Sequence, residues 1–222
     1  MIDPNTLQFL KQLQKNNNKT WFDGHRKEYD SAREDFNILV TGLIRGIGGF
    51  DEPIGHLSAK ECVFRINRDV RFSKDKQPYK NNLAAYFNRA GKKSNGSGYY
   101  LHLEPGKSFA AGGIWMPEPE VLRNIRQEID YNFADFKKIL SSVSFKKKFA
   151  ESIKGEGLKR PPKGYDENNP AIGFLKMKNF IVSKPLADID LRNKNTVREI
   201  VGIFKTMKPL IDFLNRAVDD PN

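Results

Sequence analysis

The first part of the chain carries its apolar residues at helical spacing. In "TLQFLKQLQ", Leu7, Leu10 and Leu13 share one face of a helix that follows an Asp3-Pro4 start. After the polar break "NNNK", a second apolar run keeps the helical period and stops at Gly48-Gly49. The apolar positions of this long second helix are Phe22, Tyr29, Ala32, Phe36, Leu39, Leu43 and Ile47. We therefore predict an N-terminal helical region.

In the middle of the chain the pattern changes to an alternation of apolar and polar residues. The predicted strands cover residues 57–72, 82–88, 98–104 and 108–115. Turn sequences such as "GKKSNGSG" separate them, which favours an antiparallel meander. In "GYYLHLE" the two faces of the strand hold Tyr99, Leu101 and Leu103 against Tyr100, His102 and Glu104.

Helical spacing returns after "WMPEPEVL". Pro119 fits a first helical turn, Ser144 can cap a later helix, and Thr196 with Glu199 forms a capping-box pattern for a final helix that Pro209 should kink or divide. One further strand is predicted at "NFIVS". The whole pattern predicts a single α+β domain over residues 1–222, with N-terminal helices, a central mainly antiparallel sheet and C-terminal helices.

Composition narrows the class of protein. The 222 residues include 38% hydrophobic residues and sixteen phenylalanines, enough for a substantial core. The single cysteine, Cys62, cannot form an intrachain disulfide, and we expect it to be buried. Without a signal-peptide pattern or a long apolar run, we expect a soluble cytoplasmic protein without membrane contact. Nucleotide-binding glycine motifs and metal-ligand clusters are also missing, so we expect no cofactor and no metal.

The net charge of +11 is concentrated in two segments. Lys60 to Lys93 holds ten basic residues against three acids, and Lys146 to Lys163 holds seven against two. Such local excesses of positive charge can attract anions, although a solvated surface can carry them as well.

The densest basic stretch is "FRINRDVRFSKDKQPYKNN". As a regular strand, residues 63–72 would place Phe64, Ile66, Val70 and Phe72 on an apolar face that also holds Arg68. A buried guanidinium needs an acceptor. Arg68 could pair with Glu61 or Glu104, turn outward at a β-bulge, or point into a cavity where a ligand anion completes it. On the opposite face, Asp69 can pair with Arg71.

From this stretch we predict an anion-binding site for a phosphate-bearing ligand, with nucleic acid favoured over a free nucleotide because the charge is extended. Tyr79 could stack on a base, or could simply pack the loop against the sheet. The Gly/Pro-rich loop after residue 155 could place Lys159, Arg160 and Lys163 on the rim of this site. The predicted anion-binding residues are Arg65, Arg68, Arg71, Lys74, Lys76, Tyr79, Lys80, Lys159 and Arg160.

Two alternatives compete with nucleic-acid binding. His102 and Glu104 share a strand face and could act as an acid–base pair beside the same arginines, in an enzyme for a small anionic substrate. The arginines could instead be scaffold, each held by an acid of this chain. The oligomeric state cannot be inferred.

Four segments together resemble an uncharacterised bacterial and fungal family known as domain of unknown function 2461. The segments are "FRINRDVRFSKDKQPYK", "GYYLHLEPG", "GGIWMPEPEVLRNIR" and "LKRPPKGYDENNP". The resemblance runs from "WFDGHRKEY" to near the C-terminus and implies one continuous domain. It supplies no activity, substrate or cofactor. Similar sequences carry a histidine before the proline of the last segment, where this chain has Asn169.

Overall fold

A computed structural model describes residues 1–92, 95–150, 153 and 155–219. Lys93 and Ser94 of the predicted "GKKSNGSG" turn, and Glu151 and Lys154 of the second basic segment, lie outside the described residues. Among the described residues, the helices are α1 (Pro4–Lys15), α2 (Lys19–Gly24), α3 (Arg26–Gly48), α4 (Glu52–Gly55), α5 (Ala59–Cys62), α6 (Pro119–Tyr131), α7 (Phe133–Ser141), α8 (Val143–Lys148), α9 (Ile172–Leu175), α10 (Asp188–Leu191) and α11 (Thr196–Asp219).

The strands form one four-stranded antiparallel sheet in the order β1-β2-β3-β4. They are β1 (Leu83–Phe87), β2 (Gly98–Leu103), β3 (Phe109–Ile114) and β4 (Phe180–Pro185). Each strand pairs with its neighbour in sequence, which is the connectivity of a meander. The predicted α+β class, with helices before and after a central antiparallel sheet, is therefore confirmed.

By contacts the chain divides into two compact units. The first contains Met1–Lys92, Tyr100–Ala110 and Pro185–Gly202. The second contains, among the described residues, 95–99, 111–150, 153, 155–184 and 203–219. The single domain proposed from the sequence stays a prediction.

The first unit is built on α1 and α3. Asp3 caps α1 as predicted, since its carboxylate accepts a hydrogen bond from the Asn5 N–H at 2.8 Å. The predicted stripe of α3 is buried from Tyr29 to Ile47. Close approach is possible at Gly48, because a Cβ there would lie 2.6 Å from the Gly55 Cα.

The second unit contains an aromatic core. Phe136 packs against Phe174 and Phe213 at ring-centroid distances of 5.1 and 5.0 Å. Gly113 lies in β3 with φ +124°, and a Cβ there would fall 1.9 Å from the Phe180 carbonyl oxygen. Only glycine fits this approach of β3 to β4.

Several local predictions need correction. Residues 57–72 do not form a strand: they hold α5 and two isolated bridges, Val63 with Ala85 and Asn67 with Tyr79. Ser142, not Ser144, lies at the N-cap position of α8. The physical reason for the first correction is that the segment lacks one continuous partner strand: Val63 bridges to Ala85 of β1, whereas Asn67 bridges to Tyr79 of the same stretch.

The final helix also differs from its prediction. Thr196 is its first helical residue, and its hydroxyl donates to the Asp190 and Asn193 carbonyls instead of capping. The helix continues through Pro209 and is not divided there, because packing of its apolar face outweighs one lost backbone hydrogen bond. Among the described residues, no helix combines the length and apolarity needed to cross a bilayer.

Candidate functional site

The basic stretch forms a closed loop instead of a strand. Ile66–Arg68 and Pro78–Lys80 run antiparallel, with the Arg68 N–H donating to the Pro78 carbonyl at 2.9 Å and the Lys80 N–H to the Ile66 carbonyl at 2.8 Å. Residues 69–77 project beyond this closure. We call residues 65–80 the basic loop. It contains six basic residues and two acids, which leaves a net charge of +4.

The base of the basic loop is anchored in the core of the first unit. The Asn17 side chain binds both backbone groups of Tyr79. Its nitrogen donates to the Tyr79 carbonyl at 2.9 Å, and its oxygen accepts from the Tyr79 N–H at 3.1 Å. The Tyr79 ring stacks on Phe22 at 3.9 Å and 15° and is only 7% exposed. Of the two predicted roles for Tyr79, the structure has the packing role, and its ring face is already covered.

Two arginines of the basic loop are paired with acids of the same loop. Arg68 Nη1 donates to Asp75 at 2.6 Å and to the Gln77 carbonyl at 3.2 Å. The predicted partners Glu61 and Glu104 were wrong, because the loop folds back and brings Asp75 closer. The predicted pair of Asp69 and Arg71 is present, with Nε and Nη2 donating at 3.0 and 2.7 Å.

These pairs shift the pKa of both carboxyl groups. Hydrogen bonds from the Arg71 side chain and backbone lower the pKa of Asp69. The Gln77 N–H, followed by Arg68, lowers the pKa of Asp75. Both carboxylates are therefore ionised at neutral pH, and both arginine pairs lie where water screens them.

The lysines of the basic loop and Arg65 are arranged differently. Lys76 Nζ donates to the Val70 carbonyl at 3.0 Å, and Lys80 Nζ to the Arg65 carbonyl at 2.9 Å. Burial lowers the pKa of Lys80, whose ammonium lies 5.4 Å from the centre of the Phe64 ring. Among the described residues, no carboxylate lies within 4.0 Å of Arg65 or Lys74, and both are exposed.

Phe72 lies at the outer part of the basic loop and is 95% exposed. The alternation of residues 63–72 predicts that Phe72 lies on the apolar face of a strand. This prediction is wrong, because residues 69–77 form the outer part of the loop and belong to no strand. The Arg71 guanidinium lies 5.8 Å from its ring centre. The turn-forming composition of "SKDKQPYKNN" was the available signal that Phe72 would not be buried.

The other two predicted cations, Lys159 and Arg160, belong to the second unit. Both are exposed, and they follow Leu158, whose N–H donates to the Lys176 carbonyl at 2.7 Å. Lys163, predicted at the rim, is exposed as well. The two basic segments therefore lie in different units.

The Gly/Pro-rich loop also meets a polar group that sequence analysis missed. Asn169 donates to Asp130 of α6 at 2.6 Å, and Arg126, one turn earlier, donates to the Met177 carbonyl at 3.2 Å. Arg126 Nε is buried and has no acceptor among the described residues. Burial raises the pKa of Tyr165, and Asp130 raises it further. Only the helical spacing of Arg126 and Asp130 hinted at a shared face.

A third polar group occupies one face of β2 and its end. His102 Nε2 lies 2.9 Å from Glu104 Oε2, and the Tyr100 hydroxyl lies 3.1 Å from His102 Nδ1. We call these three residues the β2 row. The opposite face, with Tyr99, Leu101 and Leu103, is fully buried, as the alternation predicted.

The side chains of the β2 row are largely buried but keep some contact with solvent. The His102 and Glu104 side chains are 13% and 17% exposed. The His102 ring stacks on Phe109 at 4.8 Å and 13°, which fixes its orientation. Burial, followed by the charge of Glu104, raises the pKa of Tyr100 to about 12. Arg68, which the enzyme alternative placed at this pair, is bound to Asp75 and Gln77 instead.

Nucleophilic or metal chemistry finds little support elsewhere. Cys62 is fully buried, and burial raises the pKa of its thiol to about 12, so the thiolate is scarce at neutral pH. Over the described ranges, no three His, Cys, Asp or Glu side chains come together as metal ligands.

Fold and site thus define an α+β protein with a basic loop and a polar row on β2. A family model described as conserved hypothetical protein, DUF2461, matches residues 5–213, and the chain belongs to this family. No curated protein and no solved structure was found to match the chain.

Proposed function

We propose that this protein binds nucleic acid through the basic loop, with single strands preferred. The observation that carries the proposal is the exposure of Phe72 between Arg71 and Lys74. An aromatic ring in water, flanked by cations, combines the two contacts that single-stranded nucleic acid offers: a base face and a phosphate.

The anchoring of the loop supports this role. Asn17 and the stacked Tyr79 hold its base, so the ends of the loop need little further ordering when a ligand binds. A preorganised loop with an exposed ring is better suited to binding than a flexible one of the same charge.

The charges favour phosphates as well. Arg65 and Lys74 are exposed, and no carboxylate of the described residues lies within 4.0 Å of either. Arg68 and Arg71 carry weak, water-screened pairs, which a phosphate can replace at low cost. Tyr79 is not part of the proposed contact surface, because Phe22 covers its ring.

The test is binding of labelled single-stranded and duplex oligonucleotides across a salt series. Phe72→Ala should weaken single-strand binding about tenfold, since one base–aromatic stack contributes about 1–3 kcal/mol. Binding to a duplex should change much less, because the bases of a duplex present no free face. Ile38→Ala is the matched control, because Ile38 is another exposed apolar side chain of the first unit.

The electrostatic part has its own variant. Arg65→Ala with Lys74→Ala should lower the log–log salt slope by about 1.4, at about 0.7 per phosphate on single strands. Lys11→Ala, an exposed lysine of α1, serves as the control. Lys159→Ala separately tests the cations of the second unit. Absence of binding at low salt, or full affinity in the Phe72 variant, would refute the proposal.

A further inference from the structure

The β2 row has a chemistry that nucleic-acid binding does not use. Since a carboxylate only accepts hydrogen bonds, we assign the proton of the 2.9 Å contact to His102 Nε2, which donates to Glu104. In the neutral imidazole Nδ1 is then an acceptor, and the Tyr100 hydroxyl donates to it at 3.1 Å. Carboxylate, imidazole and phenol thus form one directed chain of hydrogen bonds that ends at the Tyr100 oxygen.

We propose that the β2 row is an acid–base site that moves a proton at the Tyr100 hydroxyl for a small anionic substrate. In the forward step a substrate O–H gives its proton to Tyr100 Oη, while the tyrosine proton passes to His102 Nδ1. The imidazolium that results is stabilised by Glu104. The reverse transfer returns the proton to the product, so no bond to the protein forms and the row ends unchanged.

The environment of Tyr100 suits this relay. Its pKa of about 12 makes a free phenolate unfavourable at neutral pH. A concerted transfer avoids the phenolate, because the oxygen gives one proton to His102 as it takes another. The stacking of His102 on Phe109 holds the imidazole in line without a further hydrogen bond.

Cations near the row point to an anionic substrate. The Phe64 ring lies 6.4 Å from the Tyr100 ring, and Lys80 lies 5.4 Å from the Phe64 ring on the same segment. At the other end, Lys107 Nζ lies 3.7 Å from Glu104 Oε1 and is exposed. The cations next to the row are therefore Lys107, beside Glu104, and Lys80, on the segment whose Phe64 ring lies against Tyr100.

The test measures the reactivity of Tyr100 with an aryl sulfonyl fluoride at neutral pH. The phenol oxygen attacks sulfur, fluoride leaves, and the tyrosine proton passes to His102 and then to water. Peptide mass spectrometry gives the rate at each tyrosine. Tyr86 is an internal control, because burial also raises its pKa to about 12 but its hydrogen-bond partner is Asn88.

We expect Tyr100 to react faster than Tyr86, and His102→Gln to slow Tyr100 on the order of 10²-fold, the usual contribution of a positioned base. Glu104→Gln should slow it less, and Glu104→Asp should restore part of the rate. Excess inorganic phosphate at constant ionic strength should protect Tyr100 if the substrate is anionic.

The relay and the anionic substrate are tested by different results. Equal rates at Tyr100 and Tyr86, or an unchanged Tyr100 rate in a folded His102→Gln protein, would overturn the relay. If that variant does not fold, unchanged labelling in Glu104→Gln would do the same. Absence of protection by phosphate would overturn the anionic substrate. None of these outcomes depends on oligonucleotide binding, so the two proposals can fail separately.

Discussion

The basic loop and the β2 row hold their charged groups in opposite ways. In the basic loop, Arg71 and Asp69 pair in water at the surface, and Phe72 is left exposed beside them. In the β2 row, His102 and Glu104 pair while largely shielded from water. An ion pair exposed to water can exchange one partner for a ligand at small cost. A pair buried from water instead holds its two side chains in a fixed relative position. The first arrangement suits binding, and the second suits proton transfer.

The largest expected effect comes from comparing Leu101, on the face of β2 opposite the β2 row, with Phe72 of the basic loop. Leu101→Ala should lower the free energy of unfolding by about 2–5 kcal/mol, because Leu101 is fully buried on the core face of β2. Phe72→Ala should change it by less than about 0.5 kcal/mol, as expected for an exposed position. Urea unfolding of both variants measures the difference. A large loss in the Phe72 variant would mean that the loop packs.

A smaller loss of stability is expected when the acid of one ion pair in each region, Glu104 or Asp75, is replaced by its amide. Glu104→Gln should cost about 1–3 kcal/mol, since it weakens the acceptor of a part-buried His102 hydrogen bond. Asp75→Asn, in the exposed pair with Arg68, should leave the unfolding midpoint almost unchanged. Thermal and urea unfolding of the two variants provide the comparison. Equal losses would contradict the assignment of one pair to the surface and the other to a shielded site.

The smallest expected effect is a loss of folding stability at alkaline pH. In the folded protein, burial raises the pKa of Tyr86 and Tyr100 from 10 to about 12. The unfolded chain therefore loses these protons first, so the contribution of the neutral phenols to stability is complete below about pH 10 and declines as the pH approaches 12.

Absorbance at 295 nm should show that Tyr86 and Tyr100 ionise late, and Tyr100→Phe should remove one late-ionising tyrosine. The same variant should lose less stability than the wild type as the pH rises from about 10 towards 12. A Tyr100 that ionises at its ordinary pKa would show that the β2 row is open to water.

Much of the fold was predictable because single elements carry their own pattern. Helical spacing predicted α1 and α3, alternation predicted β1 to β3 within a residue or two at each end, and "NFIVS" predicted β4. The alternation in "GYYLHLE" also placed His102 and Glu104 on one face. Residues two apart on a strand share a face whatever the rest of the chain does.

The basic stretch shows where this reasoning stops. Residues 63–72 alternate like a strand, yet only Val63 and Asn67 form bridges. Whether a strand pattern becomes a strand depends on a partner edge along its whole length, and local sequence carries no record of one. The same holds for the acid that pairs with Arg68, which came from the returning side of the loop.

By itself, therefore, the sequence determined most elements with a regular period, residues 57–72 excepted, together with the faces of β2 and the concentration of positive charge. Only the tertiary structure decided that Phe72 is exposed, that Tyr79 stacks on Phe22, and that Arg126 lies near the Gly/Pro-rich loop. The reason is physical: period and charge are properties of neighbouring residues, whereas burial and pairing depend on segments that are distant in sequence and meet only after folding.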